Sequence, residues 1–200
     1  MNENIVEISG QIVGEFEFDH RLGRENFYKN MVRIERNSGR VDVIPIIVSD
    51  RVFDLSYSWT DEFVELHGSY RSRNRHRDDG SVKLELYVFV EYGDGLECWV
   101  DKNHIELDGY IVKGPTLRKT PQGKDIADVI LAVNRANGRA DYIPLIFWGR
   151  WADYVSTLDV GTNINVVGRI QSREYIKRFS ETEFETRVAY EVSVQSVWEV

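Results

Sequence analysis

Hydrophobic and polar residues alternate in five segments of the second half of the chain. The segments fall near residues 104–112, 126–134, 141–148, 163–173 and 186–198, with turn-forming residues between them. Because side chains alternate between the two faces of a strand, this pattern predicts five β-strands. Between the third and fourth segments, Trp151, Val155 and Leu158 have the spacing of one helix face. We therefore predict a short helix there, ending at Gly161.

The first half of the chain repeats the second. NIVEISGQIV from Asn4 aligns with NHIELDGYIV from Asn103, and GRVDVIPIIV from Gly39 aligns with GRADYIPLIF from Gly138, both at an offset of 99 residues. Five strands with a helix between the third and fourth are the layout of an OB-fold barrel. We predict an all-β protein of two tandem five-stranded OB-fold barrels, each with a short helix between strands three and four.

The boundary between the two copies is expected in EYGDGLECWVDKN, where two glycines and an aspartate allow a turn. Residues 1–98 would form a divergent N-terminal barrel and residues 103–200 a C-terminal barrel. Because this connection is short, the two barrels are expected to touch. The first copy has VSDRVFDLSYSWTDEF where the second has FWGRWADYVSTLDVG, which is a poorer helix pattern.

The stretch DYIPLIFWGRWADY, from Asp141 to Tyr154, is unusually rich in aromatic residues. On a strand, Ile143, Leu145 and Phe147 share one face, which we assign to the core. The opposite face carries Tyr142, Pro144, Ile146 and Trp148. From the alternation alone, this second face is either covered as well or is an exposed surface for a flat ligand.

The composition, 42% hydrophobic and 29% charged, is that of a globular chain. The net charge of −8 argues against a protein that coats nucleic acid through charge alone. The first 98 residues carry −7 and the remainder only −1. Basic residues also cluster locally, in YRSRNRHR (Tyr70–Arg77) and in GRIQSREYIKR (Gly168–Arg178). Such patches, rather than the net charge, decide where a polyanion binds.

Several other classes of protein are not expected. A single cysteine, Cys98, excludes an internal disulfide, and four scattered histidines lack the spacing of metal ligands, so we predict neither metal nor cofactor. No apolar run is long enough to span a membrane, and the N-terminus lacks a signal-peptide pattern, which favours the cytoplasm. GPTLRKT lacks the second glycine and the Lys-Ser/Thr pair of a phosphate-binding loop, so we predict a non-catalytic protein.

Four segments of the second half resemble the bacterial single-stranded DNA-binding protein family, in order and at the right spacings. They are GPTLRKTPQGKDIADVILAVNR, DYIPLIFWGRWADYV, VGTNINVVGRIQSREY and YEVSVQSV. The resemblance covers residues 103–200 almost end to end. It implies a cytoplasmic, nucleoid-associated protein that binds and protects single-stranded DNA during replication, recombination or repair. Bases would stack on aromatic rings, and Lys and Arg would hold the phosphates.

The resemblance also indicates binding residues. Tyr142 and Trp148 on the third strand and Tyr175 in the hairpin between strands four and five match stacking positions of the family. Loop and hairpin cations around these rings would form a track for phosphates. These cations are Arg118, Lys119, Arg135, Arg139, Arg150, Arg173, Lys177 and Arg178.

The first barrel resembles the family less closely than the second does. Val43 and Ser49 stand where the second barrel has Tyr142 and Trp148, although Phe27 and Tyr28 could supply rings. Its fourth strand carries four arginines at strand alternation, which either contact phosphate or pair with nearby acidic residues. These arginines are Arg71, Arg73, Arg75 and Arg77.

Two departures from the family affect the expected partners. Family members usually end in a long tail with an acidic tip, whereas this chain ends at SVWEV, which puts tail-mediated recruitment of other proteins in doubt. Members with one barrel assemble as tetramers and relatives with two as dimers, so we expect a homodimer that presents four barrels. The alternative function is that of a primosome-type or protein-interaction OB-fold protein with weak or no general binding of single strands.

Overall fold

The computed structural model describes residues 4–76, 80–120, 122–178, 180 and 183–200. These residues form eleven strands and one helix, which confirms the predicted all-β class. The elements are β1 (Asn4–Ile12), β2 (Glu17–Leu22), β3 (Glu25–Glu35), β4 (Val41–Ser49), β5 (Phe63–His76), β6 (Val82–Leu96), β7 (Asn103–Lys119), β8 (Asp125–Asn134), β9 (Ala140–Trp148), α1 (Arg150–Val155), β10 (Asn163–Arg178) and β11 (Phe184–Glu199).

Each half of the chain closes into a barrel, as predicted. In the second barrel β7 pairs with β8 and β10, β8 with β9, and β10 with β11, and the parallel pairing of β9 with β11 closes the ring. In the first barrel β1 pairs with β3 and β5, β3 with β4, and β5 with β6, and parallel β4 and β6 close it. Strand β2 forms a hairpin with β3 at the edge of the sheet. It occupies the place in the first barrel that the C-terminal end of β7 occupies in the second.

Strand alternation determines what lies in the cores. Inward side chains such as Val48, Phe147 and Ile170 are fully buried. Tyr70 takes the place of Ile170 in the first barrel, and among the described residues its buried hydroxyl has no hydrogen-bond partner. Burial also raises the pKa of the Tyr70 hydroxyl.

Two equivalent glycines allow the barrel walls to bend. The strand register shifts just before Gly68 in β5 and just before Gly168 in β10. A side chain at either position would overlap the backbone of the neighbouring strand, because a Cβ there would collide with the carbonyl oxygen of Phe89 or of Ser193. Glycine is therefore required at both bulges.

The helix prediction holds for one barrel only. In the second barrel α1 buries Ala152 and Val155, but it ends at Val155 rather than at Gly161, and turns follow. In the first barrel the described residues 50–62 form turns, so a helix there was wrong. Phe53 replaces Ala152 and is buried against Trp59, whose indole Nε1 donates to the Asp54 carbonyl (2.8 Å). This packing favours a looped chain over a helical turn.

No helix within the described residues is long and apolar enough to cross a membrane.

The two barrels share one sheet. β1 pairs antiparallel with β7, from Asn4 opposite Leu107 to Ile8 opposite Asn103, so six strands run in the order β6-β5-β1-β7-β10-β11. Residues 97–102 connect β6 to β7 without strand structure. This connection lies within the expected segment, but Gly93 and Gly95, which were expected to allow the turn, lie inside β6. The division at residues 98 and 103 stays a prediction.

A second junction between the barrels is reciprocal. Buried Asp42 of β4 accepts the backbone N–H of Ser172 in β10 (2.8 Å), and buried Asp141 of β9 accepts the backbone N–H of Ser72 in β5 (2.6 Å). The serine hydroxyls accept in return from the backbone N–H groups of Val43 and Tyr142. The junction thus has an approximate two-fold symmetry, and each barrel satisfies the buried carboxylate of the other.

Candidate nucleic-acid interface

The outward face of β8 and β9 in the second barrel carries the predicted rings. Tyr142 is 49% exposed and Trp148 36%, whereas Phe147 is fully buried. This confirms the division of β9 into a core face and an open face. Residues Tyr142, Pro144, Ile146 and Trp148, which we call the platform, lie on the face opposite Phe147, with Ile146 itself buried.

A hydrogen bond to the neighbouring strand positions one ring of the platform. The indole Nε1 of Trp148 donates to the hydroxyl of Ser193 in β11 (3.1 Å), which fixes the ring at the end of β9. Tyr142 stands six residues earlier, roughly 20 Å away along the strand. Two flat rings at this separation suit an extended ligand with several flat groups.

Tyr175 lies on the hairpin of β10 and β11. It is 37% exposed on β10, directly opposite Arg187 of β11, and the guanidinium of Arg173 lies 6.0 Å from its ring centre. The hairpin of β10 and β11 reaches over the first barrel, where Tyr175 lines a groove with Met31 and Pro45. The resemblance gave Tyr175 as a third stacking ring in the hairpin, and the fold places this ring beside the first barrel, in a groove that Pro144 of the platform also lines.

Arg118 and Lys119 lie at the far end of β7. Arg118 binds Asp128 with two hydrogen bonds (2.5 and 3.0 Å), and Lys119 lies 2.9 Å from Asp125. These pairings raise the pKa of both cations. Both pairs are exposed, so each contributes little to stability and opens at small cost when a phosphate competes.

Arg135 belongs to the junction between the barrels. Its Nε donates to Asp141 (2.7 Å), and its Nη2 donates to Asp141 and to the Ser72 carbonyl of the first barrel (2.9 Å). The hydrogen bond to Asp141 raises the pKa of Arg135. Because Asp141 is fully buried, moving Arg135 to a phosphate would leave that charge with only Arg71 and the Ser72 backbone N–H as partners. The geometry therefore favours a structural role for Arg135.

The remaining predicted cations of the second barrel lie at its surface. Arg139 is exposed in the turn between β8 and β9, and Arg150 is exposed with its guanidinium 4.8 Å from the ring centre of Trp151. Arg173 contacts Glu191 at 3.4 Å. Lys177 and Arg178 are exposed near the tip of the β10–β11 hairpin.

The arginines of the first barrel share one side of β5, and nearby acidic residues hold them. Arg71 contacts Asp141 at 3.2 Å, and Arg75 contacts Glu85 at 3.5 Å. Arg73 donates to both carboxylate oxygens of Asp19 (2.6 and 2.8 Å) and to Glu85 (2.9 Å). Arg77 lies outside the described residues.

The bidentate pair of Arg73 with Asp19 is the strongest of these contacts. The hydrogen bonds from Arg73 lower the pKa of Asp19 to about 2. The same pairing raises the pKa of Arg73. Since Asp19 is largely buried, Arg73 is held in place and only its remaining exposed surface faces a ligand.

The first barrel has no open ring at the platform position among the described residues. Val43 and Ser49 replace the two rings, and the Ser49 hydroxyl is buried in a hydrogen bond to Glu25. Phe27 is only 5% exposed because the imidazole of His20 stacks on it, with ring centres 4.7 Å apart and planes 6° from parallel. The first barrel therefore presents neither of these positions as an open ring, and its His20 covers Phe27.

Sequence reasoning missed the acidic residues that decide where the arginines point. Asp19 lies 54 residues from Arg73 along the chain, and Asp42 lies 130 residues from Ser172. The repeat did indicate a structural role for two of these acidic residues, because Asp42 and Asp141 are equivalent and both follow a Gly-Arg pair. A buried aspartate retained in both copies indicates a structural role.

The described residues hold no group of three or more His, Cys, Asp or Glu side chains that could bind a metal ion.

The whole fold resembles that of a solved protein. The crystal structure of the wild-type single-stranded DNA binding protein from Thermus aquaticus superposes with a TM-score of 0.79 at 20% identity, covering 100% of this chain and 93% of that chain. This likeness extends over both barrels and shows that the tandem arrangement is shared.

Sequence comparison gives more specific relatives. The single-stranded DNA-binding protein of Thermus aquaticus is 31% identical over 146 residues, which cover 63% of this chain and 54% of the relative. Single-stranded DNA-binding protein A of Bacillus subtilis (strain 168) is 38% identical over 100 residues, covering 46% and 58%. The chain thus spans little more than half the length of these relatives. Residues 102–197 match the model of the single-strand binding protein family. The second barrel is therefore the part of this chain that is similar to the single-strand binding protein family.

Proposed function

We propose that this protein binds and protects single-stranded DNA without catalysing a reaction, in the cytoplasm where replication, recombination or repair exposes such strands. The observation that carries the proposal is the exposure of Tyr142 and Trp148 on one open face, while Phe147 between them is buried. Exposed rings on an OB-fold strand stack bases of any sequence, because every base has a π face.

The charges near the platform support this proposal. Arg118, Lys119 and Arg150 are exposed around it. Cations held in weak surface pairs exchange a carboxylate for a phosphate at little cost, which gives affinity that falls as salt is added. The family model that matches residues 102–197 covers the barrel that carries these groups.

A titration of intrinsic tryptophan fluorescence with oligo(dT) tests the proposal. We expect quenching as bases stack on Trp148, and loss of most of that signal in Trp148→Phe. Because Trp151 lies on α1 with its indole bonded to the Gln195 carbonyl, Trp151→Phe should keep the quenching and serves as the matched control. If oligo(dT) changes neither fluorescence nor anisotropy at low salt, the proposed function is wrong and a protein-interaction role replaces it.

We also propose that two chains assemble into a homodimer with four barrels. The outer face of the six-stranded sheet supports this, because Ile5, Tyr92 and Trp198 are each more than 40% exposed on it. The register places these side chains on the same face of the sheet. An exposed face of this kind is a plausible site for a second copy.

Light scattering at micromolar concentration should give twice the 23.3 kDa mass of one chain. Ile5→Glu should shift the mass towards that of one chain, whereas Val160→Glu, at an exposed residue away from the sheet, should not. A monomeric mass for the unmodified protein would exclude the dimer.

A further inference from the structure

We propose that a small doubly charged oxyanion, such as inorganic phosphate or sulfate, binds at the junction where β10 meets the turn between β3 and β4. Three arginines are brought together there, Arg36 and Arg40 from the first barrel and Arg169 from the second. None of them belongs to the platform. The site therefore does not rest on the proposed function, and the two can fail separately.

Arg169 has donors that no acceptor in the described residues uses. Its Nε is buried and unpaired, and its guanidinium makes neither a hydrogen bond nor an ion pair within that part of the chain. Burial lowers the pKa of Arg169, and the nearby charge of Arg36 lowers it further. Because a buried charged donor without a partner is costly, an oxyanion that accepts from Arg169 would stabilise the folded protein.

The carboxylate of Asp42 does not neutralise the three arginines. It is fully buried and accepts hydrogen bonds from Arg36 through both of its oxygens (2.5 and 2.6 Å). The Ser172 backbone N–H also donates to it (2.8 Å). Arg40 is exposed, and its side chain has no partner among the described residues. Three arginines against one carboxylate leave two positive charges, which a dianion balances.

The equivalent junction at Asp141 has its arginines committed to the carboxylate. Arg135 and Arg71 both donate to Asp141 (2.7 and 3.2 Å). The residue equivalent to Arg169 is Ser69, which follows the bulge glycine of β5 as Arg169 follows that of β10. Both junctions have the same aspartate–serine contacts, so a cation after the glycine is not needed to join the barrels. Anion binding gives the cation at this place a role.

The charge and shape of the cluster favour a small anion over a nucleic-acid strand. Each phosphate of a strand carries a single negative charge, whereas a phosphate monoester carries about −1.5 to −2 at neutral pH. The Arg36 side chain is only 14% exposed and the Nε of Arg169 is buried, so a small anion reaches these donors more readily than a polymer does. Guanidinium groups suit such an anion, because their paired N–H donors match two oxygens of one phosphate.

Isothermal titration calorimetry with inorganic phosphate at pH 8 tests the site on the full chain, with the ionic strength held constant by sodium chloride. We expect phosphate to bind at this site and sulfate to compete with it. Arg169→Gln and Arg40→Gln should each weaken phosphate binding roughly tenfold, because each removes charged donors. Arg139→Gln is the matched control, since it removes the exposed arginine that is equivalent to Arg40 at the other junction, and it should leave phosphate binding unchanged.

Thermal melts provide a second measurement and establish that each variant is folded. In chloride, Arg169→Gln should melt at the temperature of the unmodified protein or above it, because the substitution removes an unpaired buried cation. Phosphate should raise the melting temperature of the unmodified protein and of Arg139→Gln more than that of Arg169→Gln, since a ligand stabilises the form that binds it.

Three results would overturn the site. The first is phosphate binding that is equal in the unmodified protein and in Arg40→Gln/Arg169→Gln. The second is an equal rise of the melting temperature in both, which is the general effect of an excluded salt. The third is a loss of affinity for oligo(dT), with no effect on phosphate, in the double variant, which would assign these arginines to a strand. A protein that binds phosphate here but does not bind oligo(dT) keeps the site and loses the proposed function.

Discussion

The two barrels share one architecture but differ in the residues on their outer faces. Asp19 and His20 of the first barrel stand where the second has Arg118 and Lys119, and Ser49 stands where the second has Trp148. In the first barrel Asp19 binds Arg73. The imidazole of His20 covers Phe27. In the second, the rings are open and the cations lie at the surface. The inward residues preserve the fold, and a few outward substitutions decide which face is available.

The largest expected effect concerns equivalent core positions of the two barrels. Phe147→Ala should lower the free energy of unfolding by about 3 to 5 kcal/mol, because the ring is fully buried and its loss leaves a cavity. Val48→Ala at the equivalent position should cost less, since fewer atoms are removed. Urea denaturation measures both. Should Trp148→Ala destabilise the protein as much as Phe147→Ala while leaving affinity intact, both faces of β9 are buried and the comparison fails.

The second prediction concerns the open rings. Trp148→Ala and Tyr142→Ala should each weaken binding of oligo(dT) by roughly 1 to 3 kcal/mol with little change in stability, because each removes a stacking surface but no core volume. Val43→Ala, at the position equivalent to Tyr142, should leave affinity unchanged. Anisotropy titrations decide the point. An equal loss of affinity in Val43→Ala would show that the first barrel's face is used in the same way.

The third prediction concerns the carboxylate that covers the first barrel. Because the pKa of Asp19 is lowered to about 2, its pairing with Arg73 adds stability above the ordinary carboxyl pKa and loses it as the pH falls towards 2. Asp19→Asn should therefore cost roughly 1 to 3 kcal/mol at neutral pH, and the difference from the unmodified protein should vanish near pH 2.

Asp128→Asn is the matched control in the second barrel, because its partner Arg118 is exposed and the pair contributes little. Denaturant unfolding across pH measures both variants. A cost for Asp19→Asn that is the same at pH 7 and near pH 2 would contradict the ionic role of Asp19.

The smallest expected effect lies inside the cores. Tyr70 of the first barrel buries a hydroxyl without a partner among the described residues, where the second barrel has Ile170. Tyr70→Phe should raise the free energy of unfolding by about 1 kcal/mol, since it removes an unsatisfied polar group and keeps the ring. Tyr110→Phe, at an exposed tyrosine, should change nothing. A loss of stability in Tyr70→Phe would mean that the hydroxyl has a partner in solution.

Alternation and the repeat were sufficient to predict the barrels. The placement of Phe147 and Tyr142 on opposite faces of β9 follows from strand alternation. The exposure of Tyr142 does not, because alternation alone leaves the second face either covered or open. The missing helix of the first barrel was not predicted, because the packing of Phe53 against Trp59 decides it.

The partners of the cations could not be read from the sequence for a related reason. Arg135 was predicted to contact phosphate, and Arg73 was predicted either to contact phosphate or to pair with nearby acidic residues. The carboxylates that bind them lie at positions set by the closed barrels. A basic cluster in a sequence shows where cations lie along the chain, but not which acidic residues the fold brings to them. Their roles in binding DNA remain predictions.

The pairing of β1 with β7 has a consequence for how the protein is dissected. Each of these strands supplies the hydrogen-bonding edge that the other barrel would otherwise leave open, and the exchanged Asp42 and Asp141 contacts close the remaining side. A barrel cut from its neighbour would present an unpaired strand edge, the kind of surface on which chains aggregate or exchange strands. The pair of barrels, rather than either repeat, is therefore the smallest piece suited to expression and folding studies.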